Sequence, residues 1–149
     1  MVRKMDKGYR YISHTADVEF LAYGSTLNGS FRNALLALFD TVSYTRKVSK
    51  GSSAVRTLLL KDKAKTVEEL LWYTLQDALS TLDMKGLFAY RVSGLKIRKE
   101  KAHYTLAAKL YAKRRRDEDS KLDAKGVSRY DLSMERRNGR FVARVVVDV

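Results

Sequence analysis

Two aspartates near opposite ends of the chain are the residues best placed to do chemistry. Asp17 closes the polar cluster His14-Thr15-Ala16-Asp17, and Asp148 follows the apolar run Val145-Val146-Val147, one residue before Val149. Carboxylates are hard oxygen donors. Two of them with a main-chain or terminal oxygen suit calcium, magnesium or manganese in an open, water-filled site. The competing reading is plain turn chemistry, because Thr and Asp side chains bond to local backbone and end strands. Strand geometry is what would join the two aspartates. The stretches Tyr9 to Ser13, Val18 to Tyr23 and Phe141 to Val149 all read as strands. If the second and third lie antiparallel in one sheet, the start of one and the end of the other share a rim.

Other chemistries lack their residues. The chain has no cysteine and only two histidines, His14 and His103, which removes thiolate sites, disulfides, cysteine nucleophiles and a histidine-rich zinc site. It has no phosphate-cradling glycine loop, no His-Glu-x-x-His, no nucleophile elbow and no aromatic RNA-recognition signature. A divalent-metal hydrolase would need a general base beside the aspartates, and none stands there. Of the function classes open to the chain, that one is the least favoured.

The net charge of +13 concentrates polyanions near the surface and names a partner class, nucleic acid foremost, without naming a fold. The charges are scattered over most of the chain, so lineage composition accounts for them equally well. A direct RNA-binding chaperone acting on tRNA would use Arg114 to Arg116 with Arg136, Arg137 and Arg140. With 149 residues, 45% of them hydrophobic, the chain is long enough for one core, and residues 1–149 read as a single domain. No apolar run reaches membrane-spanning length and no targeting segment opens the chain, which predicts a soluble, cytoplasmic protein.

The elements that would position the aspartates follow in order. Thr26 caps a helix through about Val42, with Leu27, Phe31, Ala34, Leu35, Leu38, Phe39 and Val42 on one stripe. Ser43 to Ser52 reads as an edge strand and turn, Ser53 to Leu60 as a strand, and Lys61 to Lys65 as a solvated connection. Thr66-Val67-Glu68-Glu69 is a capping box for a second helix that carries Leu70, Leu71, Leu75, Leu79 and Leu82 and stops at Gly86. Strands follow at about Leu87 to Arg98 and Ala102 to Tyr111. Lys113 to Ala124 reads as a mobile loop with a basic block. A hairpin of Val127 to Arg136 and Arg140 to Val149, turning at Asn138-Gly139, ends the chain.

The motifs His14-Thr15-Ala16-Asp17, Ala22-Tyr23-Gly24-Ser25-Thr26-Leu27, Ala37-Leu38-Phe39-Asp40, Leu82-Asp83-Met84-Lys85-Gly86 and Val146-Val147-Asp148-Val149, in that order over nearly the whole chain, resemble the archease family. The resemblance implies an α+β single domain, a mixed, partly sandwiched β-sheet with two packed α-helices. It implies a small cytosolic, non-catalytic activator of an RtcB-type RNA-splicing ligase, promoting metal-dependent guanylylation and multiple turnover in the ligation of split tRNA. Asp17 and Asp148 match the family's aspartates and, with Val149, would bind a divalent ion, calcium or manganese or magnesium. His14 would hold the turn through its ring. The expected partners are the ligase and, directly or through it, tRNA, with no membrane and a monomer or weak oligomer.

The chain also departs from the family pattern. Where archeases commonly carry Lys-Ala-x-Thr-Tyr-His, this chain has Lys125-Gly126-Val127-Ser128-Arg129-Tyr130: the lysine and a hydroxyl stand, and the Tyr-His pair does not. The preceding loop lacks the usual histidine, and Lys113 takes a place where an acid is frequent.

Overall fold

The structure, a computed structural model, describes residues 8–12 and 17–149. His14 lies outside the described residues. Eight strands, β1 (Tyr9–Ile12), β2 (Val18–Gly24), β3 (Arg56–Ala64), β4 (Leu87–Lys99), β5 (Tyr104–Arg114), β6 (Gly126–Val127), β7 (Ser133–Arg137) and β8 (Arg140–Asp148), surround helices α1 (Leu27–Val42), α2 (Thr45–Lys50) and α3 (Val67–Lys85). The α+β class is as expected. The strands divide into two sheets, β1-β2-β8-β6 with β7 also on β8, and β3-β5-β4. Every pairing is antiparallel, so the sheet expected to be mixed has no parallel pair among the described residues.

Helix α1 starts where the sequence places it. The Thr26 hydroxyl accepts from Gly29 N at 3.0 Å, satisfying one of the free N–H groups of the first turn. The helix packs on β2 and β8 and also on β4, between the two sheets. That position explains why Ser30, Ala37 and Thr41 are buried beyond the expected stripe. Ser30 resolves its burial by donating to Ala22 O at 3.0 Å, and α1 crosses β2 so closely that a Cβ on Gly24 would meet Ser30 N at 2.2 Å. Helix α3 is capped by Thr66, lays its leucine stripe on β3, β4 and β5, and ends at Gly86 in the left-handed region at φ 66°. One hydrophobic cluster joins both helices to both sheets.

Four further expectations need correction. Ser43 to Ser52 holds the short helix α2 rather than an edge strand, because its Val48 plugs the core and the Lys113 ammonium donates to the carbonyls of Ser49 and Gly51 at 2.8 and 2.6 Å. A buried cation on the last carbonyls of a helix stabilises a segment too short to stand alone. Lys61 to Ala64 continues β3, with Leu60 and Ala64 buried and Lys61 and Lys63 exposed, so the lysines alternate outward along a strand. The segment after Lys113 is tied down rather than mobile. Arg115 donates to Leu87 O and to Asp83, and Arg116 makes a two-pronged pair with the buried Asp119 at 2.9 Å for each bond. Finally, the strand expected from Val127 to Arg136 is two pieces on the same side of β8. A Ser128 hydroxyl bond to Asp131 at 3.1 Å turns the chain away between them. The Asn138-Gly139 turn forms as expected, with both residues at positive φ.

Candidate functional site

Val18 and Val147 are partners across β2 and β8. Asp17 precedes the first and Asp148 follows the second, so the two aspartates take adjacent places on one rim of the five-stranded sheet. Asp148 is exposed, Asp17 partly so, and Val149 packs partly against the core. The rim exists because β8 is held on both sides, by β2 along its length and by β6 and β7 on the other edge. Among the described residues no three His, Cys, Asp or Glu side chains gather as a metal site. A cation here would rest on two carboxylates, a main-chain oxygen of Val149 and water. That all-oxygen donor set fits a hard divalent ion held weakly.

Beside Asp17 opens a cavity of about 340 Å³, lined also by Tyr11, Asp40, Thr41, Lys121 and Leu122. Asp40 organises its wall. Its carboxylate accepts from the Tyr9 hydroxyl at 3.3 Å, the Thr45 hydroxyl at 3.4 Å and the Lys121 ammonium at 3.3 Å, and its carbonyl accepts from Lys121 at 2.8 Å. Burial, and then the Asp40 charge, pushes the Tyr9 phenol up to about 12, so it remains a hydrogen-bond donor at any physiological pH. Tyr11 donates to Ala37 O at 2.9 Å, and burial raises its phenol as well. Asp40 stood in the sequence only as the end of a helix motif. Its three partners come from β1, α2 and the loop before β6, which periodicity along the chain cannot bring together.

The second wall of the rim is the segment in which the chain departs from the family pattern. Lys125 N donates to Asp148 O at 2.7 Å, Gly126 pairs with Asp148, and Ser128 N donates to Val146 O at 2.8 Å. Helix α3 fixes this segment from behind: Trp72 Nε1 donates to Val127 O at 2.8 Å, and Val127 N donates to the Gln76 side-chain carbonyl at 2.9 Å. Trp72 is thus a positioning residue, and its indole N–H does what an off-stripe tryptophan can do when half-buried. Arg129 lies 4.6 Å over the Trp72 ring, while Tyr130 is 97% exposed. The two substituted positions therefore do different things: one packs on α3 and the other faces solvent.

The residues proposed from sequence for direct RNA contact do not form one cluster of free cations. Arg115 and Arg116 are spent on Asp83 and Asp119, and the pairing with Arg116 holds the Asp119 carboxyl below its ordinary range. Arg136 covers Phe141, Arg140 covers Tyr23 and Arg137 pairs with Glu135. Away from the rim, Asp62 on β3 faces Asp77 on α3. Burial, then the hydrogen bond to Asp77 and its charge, pushes Asp62 up to about 8.

A model of the Archease protein family (MTH1598/TM1083) matches residues 9–149. The archease of Methanosarcina mazei is 32% identical over 145 residues, covering 96% of this chain and 97% of the relative. That of Pyrococcus abyssi is 31% identical over 146 residues, covering 96% and 99%. In fold, the solution structure of Methanobacterium thermoautotrophicum protein 1598 superposes with a TM-score of 0.80 at 24% identity, covering 96% of this chain and 99% of that one. A crystal structure from Thermotoga maritima, described as an archease and possible chaperone, gives 0.56 at 18% identity, covering 94% and 96%. Among the described residues no helix is long and apolar enough to cross a membrane.

Proposed function

The chain belongs to the archease family, and on that premise we propose that it is a non-catalytic activator of an RtcB-type tRNA-splicing ligase, working through the rim that holds Asp17 and Asp148. The observation that carries this reading is the adjacency of those two aspartates, brought together by the pairing of Val18 with Val147. A divalent ion held there would lower repulsion among the phosphates of a nucleotide at the partner's guanylylation centre. The chain's own part is to present the donors. Asp17 and Asp148 offer carboxylate oxygens at an open edge, β6 holds Asp148 in register, and Trp72 and Gln76 keep β6 from shifting. The Tyr9, Thr45 and Lys121 contacts tie up Asp40, so the adjoining cavity wall stays fixed while the rim engages a partner.

The test is ligation of a split tRNA by the ligase from the same source, with GTP and manganese, with and without substoichiometric amounts of this protein. Stimulation is expected, and Asp17→Asn should lose most of it. Calorimetry should show calcium or manganese binding that disappears in Asp17→Asn with Asp148→Asn while the fold is retained. Unchanged metal binding in that double variant would sink the site assignment, and no stimulation by the unaltered protein would sink the activator reading.

A further inference from the structure

The outer face of the β3-β5-β4 sheet is uncovered along most of its length and carries six cations: Lys61 and Lys63 on β3, Lys109 on β5, and Arg91, Lys96 and Arg98 on β4. All six are exposed. The register sets them in rungs. Lys61 and Lys96 flank Ala107, Lys63 and Arg98 flank Thr105, and Lys109 lies opposite Ser93 in the next rung. The pattern needs all three strands, since the lysines come from segments far apart in sequence. None of the six pairs with a carboxylate among the described residues. The one acid within these strands, Asp62, alternates to the helix side with Leu60 and Ala64. Glu100, the acid that follows in sequence, lies beyond the end of β4.

The face is also shaped. Gly94, at φ 62°, lies where the β4 register shifts between Ser93 and Lys96, a bulge that bends and twists the edge strand. With the small residues Ala107 and Thr105 as floor, the result is an open trough of about 540 Å³. At the end nearest α2 the Arg91 guanidinium lies 4.8 Å over the Tyr111 ring, and the Ser93 hydroxyl donates to Tyr111 Oη at 3.2 Å, which fixes the ring in place.

We propose that this face binds single-stranded RNA along its phosphate backbone. Rungs repeat at about 7 Å along a strand, two residues apart, and rows lie about 5 Å apart across the sheet. A regular ladder of like charges at that spacing complements a linear polyanion, whose phosphates recur at a comparable interval. An acidic protein surface would present scattered carboxylates instead. The held Tyr111–Arg91 pair offers a planar platform for a base at one end, and stacking on such platforms tolerates any sequence. The inference stands apart from the rim, because neither Asp17 nor Asp148 is on this face.

The test is fluorescence anisotropy of a labelled oligouridylate with the full chain and no ligase, from ~50 to ~200 mM salt. Lys61→Gln, Lys96→Gln and Lys109→Gln together should weaken binding by roughly tenfold or more and reduce the salt slope by about 2, the counterion release of three contacts to a single strand. A matched control, Arg32→Gln with Lys50→Gln and Lys85→Gln, removes the same charge elsewhere and should cost less than about threefold. If the triple sheet variant does not fold, Lys61→Gln and Lys109→Gln singly should each lower the slope by about 0.7. Equal losses in sheet and control variants would overturn the proposal. So would absence of RNA binding at low salt, equal affinity for a duplex, or tighter binding to polyglutamate than to the oligouridylate.

Discussion

The two sheets are built on the same alternation, yet they treat their outward positions in opposite ways. On the five-stranded sheet the outward residues Glu19, Val142 and Val146 are buried, and Arg144 donates to the Glu19 carboxylate across the strand pair. On the three-stranded sheet the outward residues include six lysines and arginines and Leu59, which is 75% exposed, and no carboxylate pairs with those cations among the described residues. Charge of one sign gathered on one face costs stability through self-repulsion, while the burial of apolar side chains such as Val142 and Val146 adds to it. The contrast separates a sheet that holds the molecule together and presents a rim from a sheet that leaves a charged surface open.

The same substitution made on both faces tests this division. Val146→Lys would bury an ammonium opposite a Glu19 carboxylate that Arg144 already holds, and should cost about 3 kcal/mol. Leu59→Lys should change stability by no more than about 0.5 kcal/mol. Urea midpoints at neutral pH distinguish the two, and a large loss from Leu59→Lys would mean that the three-stranded face is covered after all. Lys113 sharpens the boundary. It continues the outward row of Lys109 and Tyr111 on β5, but α2 lies over it and it is only 6% exposed. Lys113→Ala should cost about 2 kcal/mol by removing charged hydrogen bonds from the end of α2, with loss of protection at the amides of residues 47–51 in hydrogen exchange.

A pH effect concerns the inward side of the three-stranded sheet. The folded protein holds a proton on Asp62 up to about pH 8, whereas the unfolded chain releases it near pH 4. Between those values the native state binds more protons, so stability falls as pH rises and levels off above about pH 8. Asp62→Asn should flatten that slope, read as a smaller difference in Tm between pH 5 and pH 8. An unchanged slope would mean that Asp62 does not hold its proton.

What could be read from the sequence divides along similar lines. Helices α1 and α3 were legible because cap, stripe and stop signal all lie within one contiguous stretch, and the Asn138-Gly139 turn was legible for the same reason. Helix α2 was not, because it depends on Lys113, more than 60 residues away. The continuation of β3 through Lys61-Asp62-Lys63 was hidden because alternating lysines read as a solvated connection until β5 is known to lie beside them. At the candidate site, the shared rim of Asp17 and Asp148 follows from two strands whose directions can be guessed. The Asp40 contacts and the basic ladder require side chains from three elements each, and only the register supplies them.

Pairing β2 with β8 has a consequence for how the molecule is made. Glu19 and Arg144 are 125 residues apart, whereas β3, β4 and β5 follow one another within residues 56–114. At a synthesis rate of ~5 to ~20 residues per second, β2 waits on the order of ten seconds for its neighbour, long after the three-stranded sheet has every strand it needs. The charged face can therefore form on a nascent chain, while the aspartate rim arises only when β8 closes the second sheet.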